Sequence, residues 1–335
     1  MKDKIMKDKI IPQFTGYSIS WILAFNLLAL LVLTSCSSSD STTPFTPANS
    51  LEGKVLVLGA QEDTNGNLVI YAHGTDLTGT VLTVADLQTA TVNVDALSYT
   101  NNDLNLTIAE VEPTDDFLSL SLVTDWSNST NGELGLVAGI FTQVLDNLPL
   151  VYEAQVITFS DDYEMQQTWT DNLTAIKDAV AAAHSVRNLT ALYDTMGVAL
   201  EGDSVTTGLV ERCRTAHVQV VFTDGKDNFA FSGAYSDSIL ETIVNADKTV
   251  SIMLGTSDAK KDVLDKLAGE HGAVVQVVDP SSLGAEVEQW VASLQNIVKI
   301  TVGSAIYATG QTVSITMGAQ TVAVFPNTHD MTCTP

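Results

Sequence analysis

Residues 117–130 read FLSLSLVTDWSNST, and the chain is organised around this stretch. An apolar run with interleaved serines ends at Thr124, and Asp125, Ser127 and Ser129 follow it at alternate positions. In a loop that leaves the end of a buried strand, these three side chains can converge on one point. Carboxylate and hydroxyl oxygens are the ligands that hard cations prefer. The stretch therefore predicts a buried strand that ends at a cation site.

Two later stretches offer further oxygen ligands. Thr190 lies in NLTALYD, and Asp224 lies in VVFTDGKDN directly after an apolar run. The triple D-x-S-x-S, then the threonine, then T-D-G resembles the metal-ion-dependent adhesion site of von Willebrand factor A (vWA) domains. The resemblance implies a set of five metal ligands, with Mg²⁺ or Mn²⁺ as the ion: Asp125, Ser127, Ser129, Thr190 and Asp224.

The same resemblance implies how such a site works. The two serines would bind the metal directly, the threonine would do so in the ligand-bound state, and the two aspartates would act largely through water. Because few anions bind directly, the ion stays electron-poor, and an acidic residue of a partner protein completes its coordination shell. No soft ligand belongs to the set, which disfavours zinc and copper.

The resemblance covers residues 116–297. Four segments look like family segments in family order: VITFSDD at 156–162, TALYDTM at 190–196, VVFTDGKDN at 220–228 and KLAGEHGAVVQVVD at 266–279. Two positions depart from the family pattern. Thr130 stands where a methionine is common, and Asn188-Leu189 replaces the usual glycines before Thr190. Leucine resists backbone conformations that glycine permits, so the second departure puts the flexibility of the Thr190 loop in question.

Secondary-structure patterns over the same region predict strands that alternate with helices. Predicted strands are 117–124, 154–159, 218–223, 249–254 and 274–278, with 165–170 as an antiparallel edge strand. Predicted helices are 132–148, 172–184, 191–201, 236–246, 260–271 and 283–297. Such alternation is typical of a mainly parallel sheet with helices on both faces, an α/β fold of the Rossmann-like type. Ligand sites in these sheets lie at the carboxyl ends of strands, near the point where strand order reverses.

Both flanks of this region read as β structure. Residues 51–115 contain five short runs rich in β-formers, at 55–58, 68–72, 80–84, 90–94 and 104–109, and residues 298–325 contain two more, at 299–307 and 312–325. We expect the flanks to pair into a small β-sandwich with the α/β domain inserted between them, and two independent β pieces are the alternative. Asp63, Asn65 and Asn67 around Gly66 favour a hairpin turn over a calcium loop.

The N-terminus reads as a targeting signal over residues 1–36. Four lysines precede an apolar run at 19–33, and Leu33-Thr34-Ser35-Cys36 resembles a bacterial lipobox, which implies that Cys36 carries lipid. An ordinary signal anchor is the alternative, and Met6 is a second candidate start. Residues 37–50, rich in Ser, Thr and Pro, predict a flexible tether, and residues 326–335 a tail. We expect a bacterial cell-envelope protein that is lipid-anchored, with the outer membrane as its location.

Charge and cysteine content narrow the partners and the compartment. The formal net charge is −25, which disfavours binding to nucleic acids or anionic lipid headgroups, so contact with the membrane is expected through the lipid anchor only. If Cys36 is lipidated, Cys213 and Cys333 are left in an oxidising compartment, where one disulfide between them is predicted and two free thiols are the alternative.

Three functions are candidates for this chain. The first is an envelope adhesion protein that captures a protein ligand through the cation, and the second is an assembly scaffold in which the metal is structural. The third is an enzyme of the phosphotransferase type. A phosphotransferase of the haloacid dehalogenase type also places an aspartate after its first strand, but it needs a second aspartate where Ser127 stands. The sequence contains neither a G-x-S-x-G nor an H-E-x-x-H motif. The sequence therefore predicts a binding protein that is not an enzyme.

Overall fold

A computed structural model describes residues 55–76, 80–112, 115, 117–148, 152–182, 184–256, 259–276, 285–317 and 320–326. The predicted signal segment, the tether, Cys36 and Cys333 lie outside these residues, as does nearly all of the predicted tail. Across the described ranges, no helix combines the length and the apolar character needed to span a membrane.

The described residues form two sheets. The strands are β1 (Val55–Glu62), β2 (Leu68–Gly74), β3 (Thr91–Val94), β4 (Leu97–Tyr99), β5 (Leu106–Glu110), β6 (Leu118–Asp125), β7 (Tyr152–Phe159), β8 (Tyr163–Thr170), β9 (Ala216–Thr223), β10 (Val250–Gly255), β11 (Ala273–Gln276), β12 (Val298–Val302), β13 (Val313–Met317) and β14 (Gln320–Val324). The α-helices are α1 (Val84–Leu87), α2 (Leu134–Asn147), α3 (Leu173–Ala181), α4 (Leu192–Glu201), α5 (Asp237–Asp247), α6 (Lys261–Ala268) and α7 (Ala285–Ser293). Short 3₁₀ turns lie at Leu209–Glu211 and Leu294–Asn296.

The α/β part is a mainly parallel sheet in the order β11-β10-β9-β6-β7-β8, with β8 antiparallel at the edge. Every residue of β6, β7 and β9 is buried, as expected for central strands that helices cover on both faces. The chain leaves β6 for β7 on one side, whereas β9 pairs with β6 on the other. Strand order thus reverses between β6 and β9, and their carboxyl ends form the rim where ligand sites are expected.

One core lies under the α/β sheet and a second under the flanking strands. The first core includes one stripe of α2, formed by Val137, Ile140, Phe141, Val144 and Leu145. These residues recur at three- and four-residue steps and pack with the sheet and with Trp290 of α7. The second core lies between strands of the N-terminal and C-terminal flanks.

The two flanks pair with each other strand by strand. β12 lies between β2 and β5, and β13 pairs with β3, so each sheet contains both N-terminal and C-terminal strands. The second sheet has four antiparallel strands, in the order β14-β13-β3-β4. The predicted α/β fold with a second, smaller β layer is confirmed. The boundaries of separate domains at 51–115, 116–297 and 298–325 stay a prediction, and the larger sheet crosses them because β1 pairs with β9.

Some element predictions were wrong in detail. The predicted strand 80–84 is a loop followed by helix α1, because Thr83 and Asp86 form a reciprocal capping box. The short strand β4 was not predicted, and the single run 312–325 is a hairpin of β13 and β14. The hairpin between β1 and β2 was predicted correctly, and Asp63 accepts hydrogen bonds from the Asn65 and Asn67 amides within its turn.

Candidate functional site

Asp125 is the last residue of β6, and it is fully buried. Its Oδ1 accepts a hydrogen bond of 2.9 Å from the Ser127 amide, and its Oδ2 accepts one of 2.8 Å from the Thr223 hydroxyl of β9. Burial raises the pKa of Asp125 to about 6, and the charge of Asp224 acts in the same direction, against the lowering effect of these hydrogen bonds. A carboxylate in this position gains stability from a neighbouring cation.

The loop that follows Asp125 holds two hydroxyl groups together. The Oγ atoms of Ser127 and Ser129 are 3.1 Å apart, with Ser127 buried and Ser129 exposed. Thr130, one of the departures from the family pattern, is buried and closes this loop. Its hydroxyl donates to the carbonyl of Asp125 at 2.8 Å and to that of Ser127 at 3.1 Å. The loop therefore has a fixed shape without a methionine at this position.

Asp224 directly follows β9, on the strand beside β6. Its side chain is only 1% exposed, and its Oδ2 lies 2.7 Å from the ammonium group of Lys226. Gly225 turns the chain at φ +71°, and its amide donates to the Thr223 hydroxyl at 3.1 Å. A left-handed conformation of this kind favours glycine. The D-G pair thus turns the backbone away from the sheet and leaves Asp224 at the rim.

Thr190 is buried and is held against the Asp224 loop by hydrogen bonds in both directions. Its amide donates to Asn228 Oδ1 at 2.8 Å. Its carbonyl accepts hydrogen bonds from the amides of Asn228 and Phe229, at 3.0 and 3.1 Å. The loop that carries Thr190 and the loop that carries Asp224 therefore act as one unit.

Arg187 joins the Thr190 loop to the first loop. Its carbonyl accepts from the Asn128 amide at 2.8 Å, and its amide donates to the Trp126 carbonyl at 3.3 Å. Together with the Thr223 bond to Asp125, these contacts bring all three loops to one rim. The rim contains each of the five predicted residues, Asp125, Ser127, Ser129, Thr190 and Asp224. Their role as metal ligands stays a prediction.

Several supporting side chains were not identified from the sequence. Helix α4 begins after Ala191, which offers no side-chain cap, and Asp227 Oδ1 accepts from the Tyr193 amide at 3.0 Å instead. Asp194 accepts from the amide and hydroxyl of Ser232, each at 2.6 Å. Burial acts to raise the pKa of Asp194, but the hydrogen bonds from this loop outweigh it and lower that pKa. The polar residues that follow T-D-G can be seen in the sequence, but the residues to which they hydrogen-bond lie far away along the chain.

Trp126 lies beside the candidate site, at one wall of a polar cleft. Its ring meets the His184 ring edge-on, with 4.8 Å between centroids. Asp162, Glu164 and Arg187 also line this cleft, and Arg187 forms an ion pair with Asp161 at 2.6 Å. Trp126 is half-buried, so it presents part of its surface at the rim.

The donor atoms of the rim fit a hard divalent cation. Two carboxylates and three hydroxyls offer oxygen alone, the donor type of Mg²⁺ and Mn²⁺ sites. In the described part of the chain, no three His, Cys, Asp or Glu side chains come together in a way that could hold a metal. Cys213 is disulfide-bonded, and the other two cysteines lie outside the described residues, so its pairing with Cys333 stays a prediction.

Comparison with protein families matches the von Willebrand factor type A domain over residues 120–289. This range begins inside β6, contains the whole rim and ends inside α7. A search of curated proteins found no match.

Several solved structures are similar to this chain at low sequence identity. Proximal thread matrix protein 1 from the mussel byssus is 19% identical, with a TM-score of 0.46 over 58% of this chain and 49% of that chain. A further structure of the mussel protein, with a zinc-occupied MIDAS motif, is 20% identical, with the same TM-score and the same coverage. A von Willebrand factor type A protein from Catenulispora acidiphila is 11% identical, with a TM-score of 0.45 over 86% of this chain and 78% of that chain. The present chain spans about half the length of the mussel protein.

Proposed function

This chain belongs to the von Willebrand factor type A domain family, and we propose that it is a cell-envelope binding protein that captures a protein ligand through a divalent cation. The proposed metal residues are Asp125, Ser127, Ser129, Thr190 and Asp224. Domains of this family are mostly adhesion or interaction modules and commonly bind protein ligands, which is compatible with a role other than catalysis.

The observation that carries this proposal is the buried Asp125 at the end of β6. A carboxylate with no exposed surface loses the stabilisation of water, and two neutral donors replace that loss only in part. Asp224 adds a second buried negative charge at the same rim. A divalent cation would compensate both of these buried negative charges.

The three other proposed ligands are hydroxyl groups from two different loops. Ser127 and Ser129 offer neutral hydroxyls from one loop, and Thr190 offers a third from another. The three hydroxyls carry no charge, and the two aspartates carry at most two negative charges. The ligand set therefore does not exceed the two positive charges of a bound divalent cation. When bound there, Mg²⁺ or Mn²⁺ would supply a Lewis-acid centre for which an acidic residue of the partner protein is a ligand.

The proposal includes the location of the domain. Lipid on Cys36 would anchor the chain to the bacterial envelope, in the outer membrane, with residues 37–50 as the tether. This part rests on the sequence of the first 50 residues. Globomycin, which blocks lipoprotein signal peptidase, should therefore cause the unprocessed precursor to accumulate.

Thermal unfolding with and without metal tests the site itself. Mg²⁺ or Mn²⁺ at 100 times its dissociation constant should raise the melting temperature of the wild type by roughly 5–10 °C. Asp125→Ala should abolish this rise. Asp247→Asn is the matched control, because Asp247 is also buried but is bonded to His217 at the start of β9, at the opposite end of the sheet. It should keep the metal response.

Ionic strength must be held constant with NaCl, because salt also screens the repulsion within an acidic protein. If Asp125→Ala responds to Mg²⁺ as the wild type does, the proposed site is wrong.

Partner capture in Mg²⁺ and in EDTA then separates adhesion from the scaffold alternative. Loss of the co-purifying protein in EDTA supports adhesion, whereas retention supports a structural metal.

A further inference from the structure

Lys226 places a positive charge inside the candidate metal site. Its ammonium nitrogen lies 2.7 Å from Asp224 Oδ2, and its own amide donates to Asp224 Oδ1 at 3.0 Å. One residue therefore contacts both oxygens of this carboxylate. The Lys226 side chain is 39% exposed whereas that of Asp224 is 1% exposed, so the lysine reaches from solvent into the rim.

Asp224 is one of two buried carboxylates at this rim. Asp125 ends β6 and Asp224 directly follows β9, and these neighbouring strands are paired up to Thr124 and Phe222, so the charge of one carboxylate acts on the other. Asp125 accepts hydrogen bonds from neutral groups, the Ser127 amide and the Thr223 hydroxyl. Two buried like charges destabilise each other unless a positive charge compensates them. The Lys226 ammonium provides that compensation.

We propose that Lys226 is an internal competitor of the metal, which neutralises Asp224 in the metal-free protein and must be displaced from it when a divalent cation binds. This inference rests on the proposed function, because it concerns the same site. It predicts a metal-free state that is stable by itself and a metal affinity below that of the oxygen ligands alone. The lysine has a flexible, partly exposed stem, so its displaced ammonium can move into solvent.

The test substitutes Lys226→Met, which keeps the length of the side chain and removes the charge. Titration calorimetry with Mg²⁺ alone should show binding about tenfold tighter than in the wild type, since a charge-assisted hydrogen bond no longer opposes it. In EDTA the variant should melt below the wild type, and saturating Mg²⁺ should close that gap. If Lys226 were purely structural, its substitution would lower the melting temperature equally in EDTA and in saturating Mg²⁺.

Two controls complete the experiment. Lys226→Arg retains a cation and should bind Mg²⁺ as the wild type does. Lys177→Met removes a more exposed ion pair with Asp146, between α3 and α2, and should leave the Mg²⁺ affinity unchanged. Unchanged or weaker Mg²⁺ binding in Lys226→Met overturns the inference.

The failure of this inference can be told apart from the failure of the proposed function. Asp125-dependent binding in the wild type with no gain in Lys226→Met contradicts the inference alone. Mg²⁺ binding that occurs only in Lys226→Met supports the inference but contradicts the proposed function, because the native protein would then not bind the metal. Absence of Mg²⁺ binding in both proteins contradicts both proposals.

Discussion

Single side chains from one loop fix the backbone of another at the binding rim. Asn228 holds Thr190, and Asp227 holds the start of α4 at Tyr193. Asp194, in turn, holds the loop at Ser232. These contacts offer a physical answer to the missing glycines before Thr190. The loop does not need a permissive backbone, because partners in a neighbouring loop determine its conformation.

Asn228→Ala should weaken metal binding while keeping all five proposed metal ligands. The variant leaves the buried Thr190 amide without its acceptor, which costs about 1–3 kcal/mol. Because this bond positions Thr190, we expect Mg²⁺ affinity by calorimetry to fall together with the melting temperature. Asn188→Ala, at an exposed asparagine of the same loop, should change neither quantity. Equal effects of the two variants would contradict a positioning role for Asn228.

The sequence predicted five oxygen-bearing residues that the structure brings to one rim, but it did not predict the residues that position them. The alternate spacing of Asp125, Ser127 and Ser129 is a local property, so it can be seen directly in the printed sequence. The bond between Asn228 and Thr190 joins positions 38 residues apart, and the fold alone brings them together. Long-range partners of this kind leave no local pattern.

At the scale of whole elements, burial decided which predictions succeeded. β6 and β9 are buried along their entire length, and the apolar residues that dominate both strands made them easy to recognise despite interleaved polar positions. The predicted strand at 80–84 failed because a local capping box at Thr83 overrode the β-forming residues around it. β4 is only three residues long and largely exposed, so neither its length nor its hydrophobicity distinguished it.

His73 links two elements and should make the protein sensitive to acid. It lies on β2, and its Nδ1 is 2.8 Å from the hydroxyl of Ser293, at the end of α7. That hydroxyl donates to the Trp290 carbonyl, so the His73 Nδ1–H must donate to Ser293. Nε2 is buried without a hydrogen-bond partner in the described chain, in a cavity that Leu118 and other apolar residues line.

Burial lowers the pKa of His73 to about 4. The unfolded chain, with an ordinary histidine pKa near 6.5, binds the proton more tightly than the folded protein. The stability that depends on neutral His73 is therefore complete above about pH 6.5 and is lost as the pH falls toward 4, by roughly 3 kcal/mol.

His73→Leu should reduce this loss, and urea unfolding at pH 7, 5.5 and 4.5 would measure it. Carboxylates also titrate in this range, so the informative quantity is the difference between the two proteins at each pH. That difference should shift in favour of the variant as the pH decreases. A constant difference across the three pH values would show that His73 does not titrate on unfolding.

At the scale of the whole molecule, a single sheet joins the α/β part to the flanking strands. The joint is narrow, because β1 meets β9 through the pair of Gly59 and Ala216. Beside it, the rings of Tyr71 and Phe117 stack with 3.9 Å between centroids. Because β12 returns between β2 and β5, the N-terminal and C-terminal flanking strands stabilise each other on one side of this joint.

Gly59→Ala should weaken the joint, whereas the same substitution at Gly139 should stabilise the protein. A Cβ at position 59 would lie 2.3 Å from the Thr215 carbonyl oxygen and 2.8 Å from the Ala216 Cα, both backbone atoms. The two strands would have to separate, at a cost of roughly 1–3 kcal/mol. Gly139 is exposed in the middle of α2, and beyond its chain neighbours and its own helix backbone no atom lies within 4 Å of an added Cβ, so alanine there should gain about 0.5–1 kcal/mol.

Urea unfolding gives both free-energy changes, and amide hydrogen exchange locates the first. In Gly59→Ala, protection should decrease first in β1 and at the start of β9, while the carboxyl ends of β6 and β9 keep theirs. The reason is geometric, since the joint touches β9 at its first residue and the binding rim lies beyond its last. Mg²⁺ affinity should therefore be unchanged in this variant. A matching loss of metal binding would mean that the flanking strands control the rim through the sheet, rather than only supporting the domain that carries it.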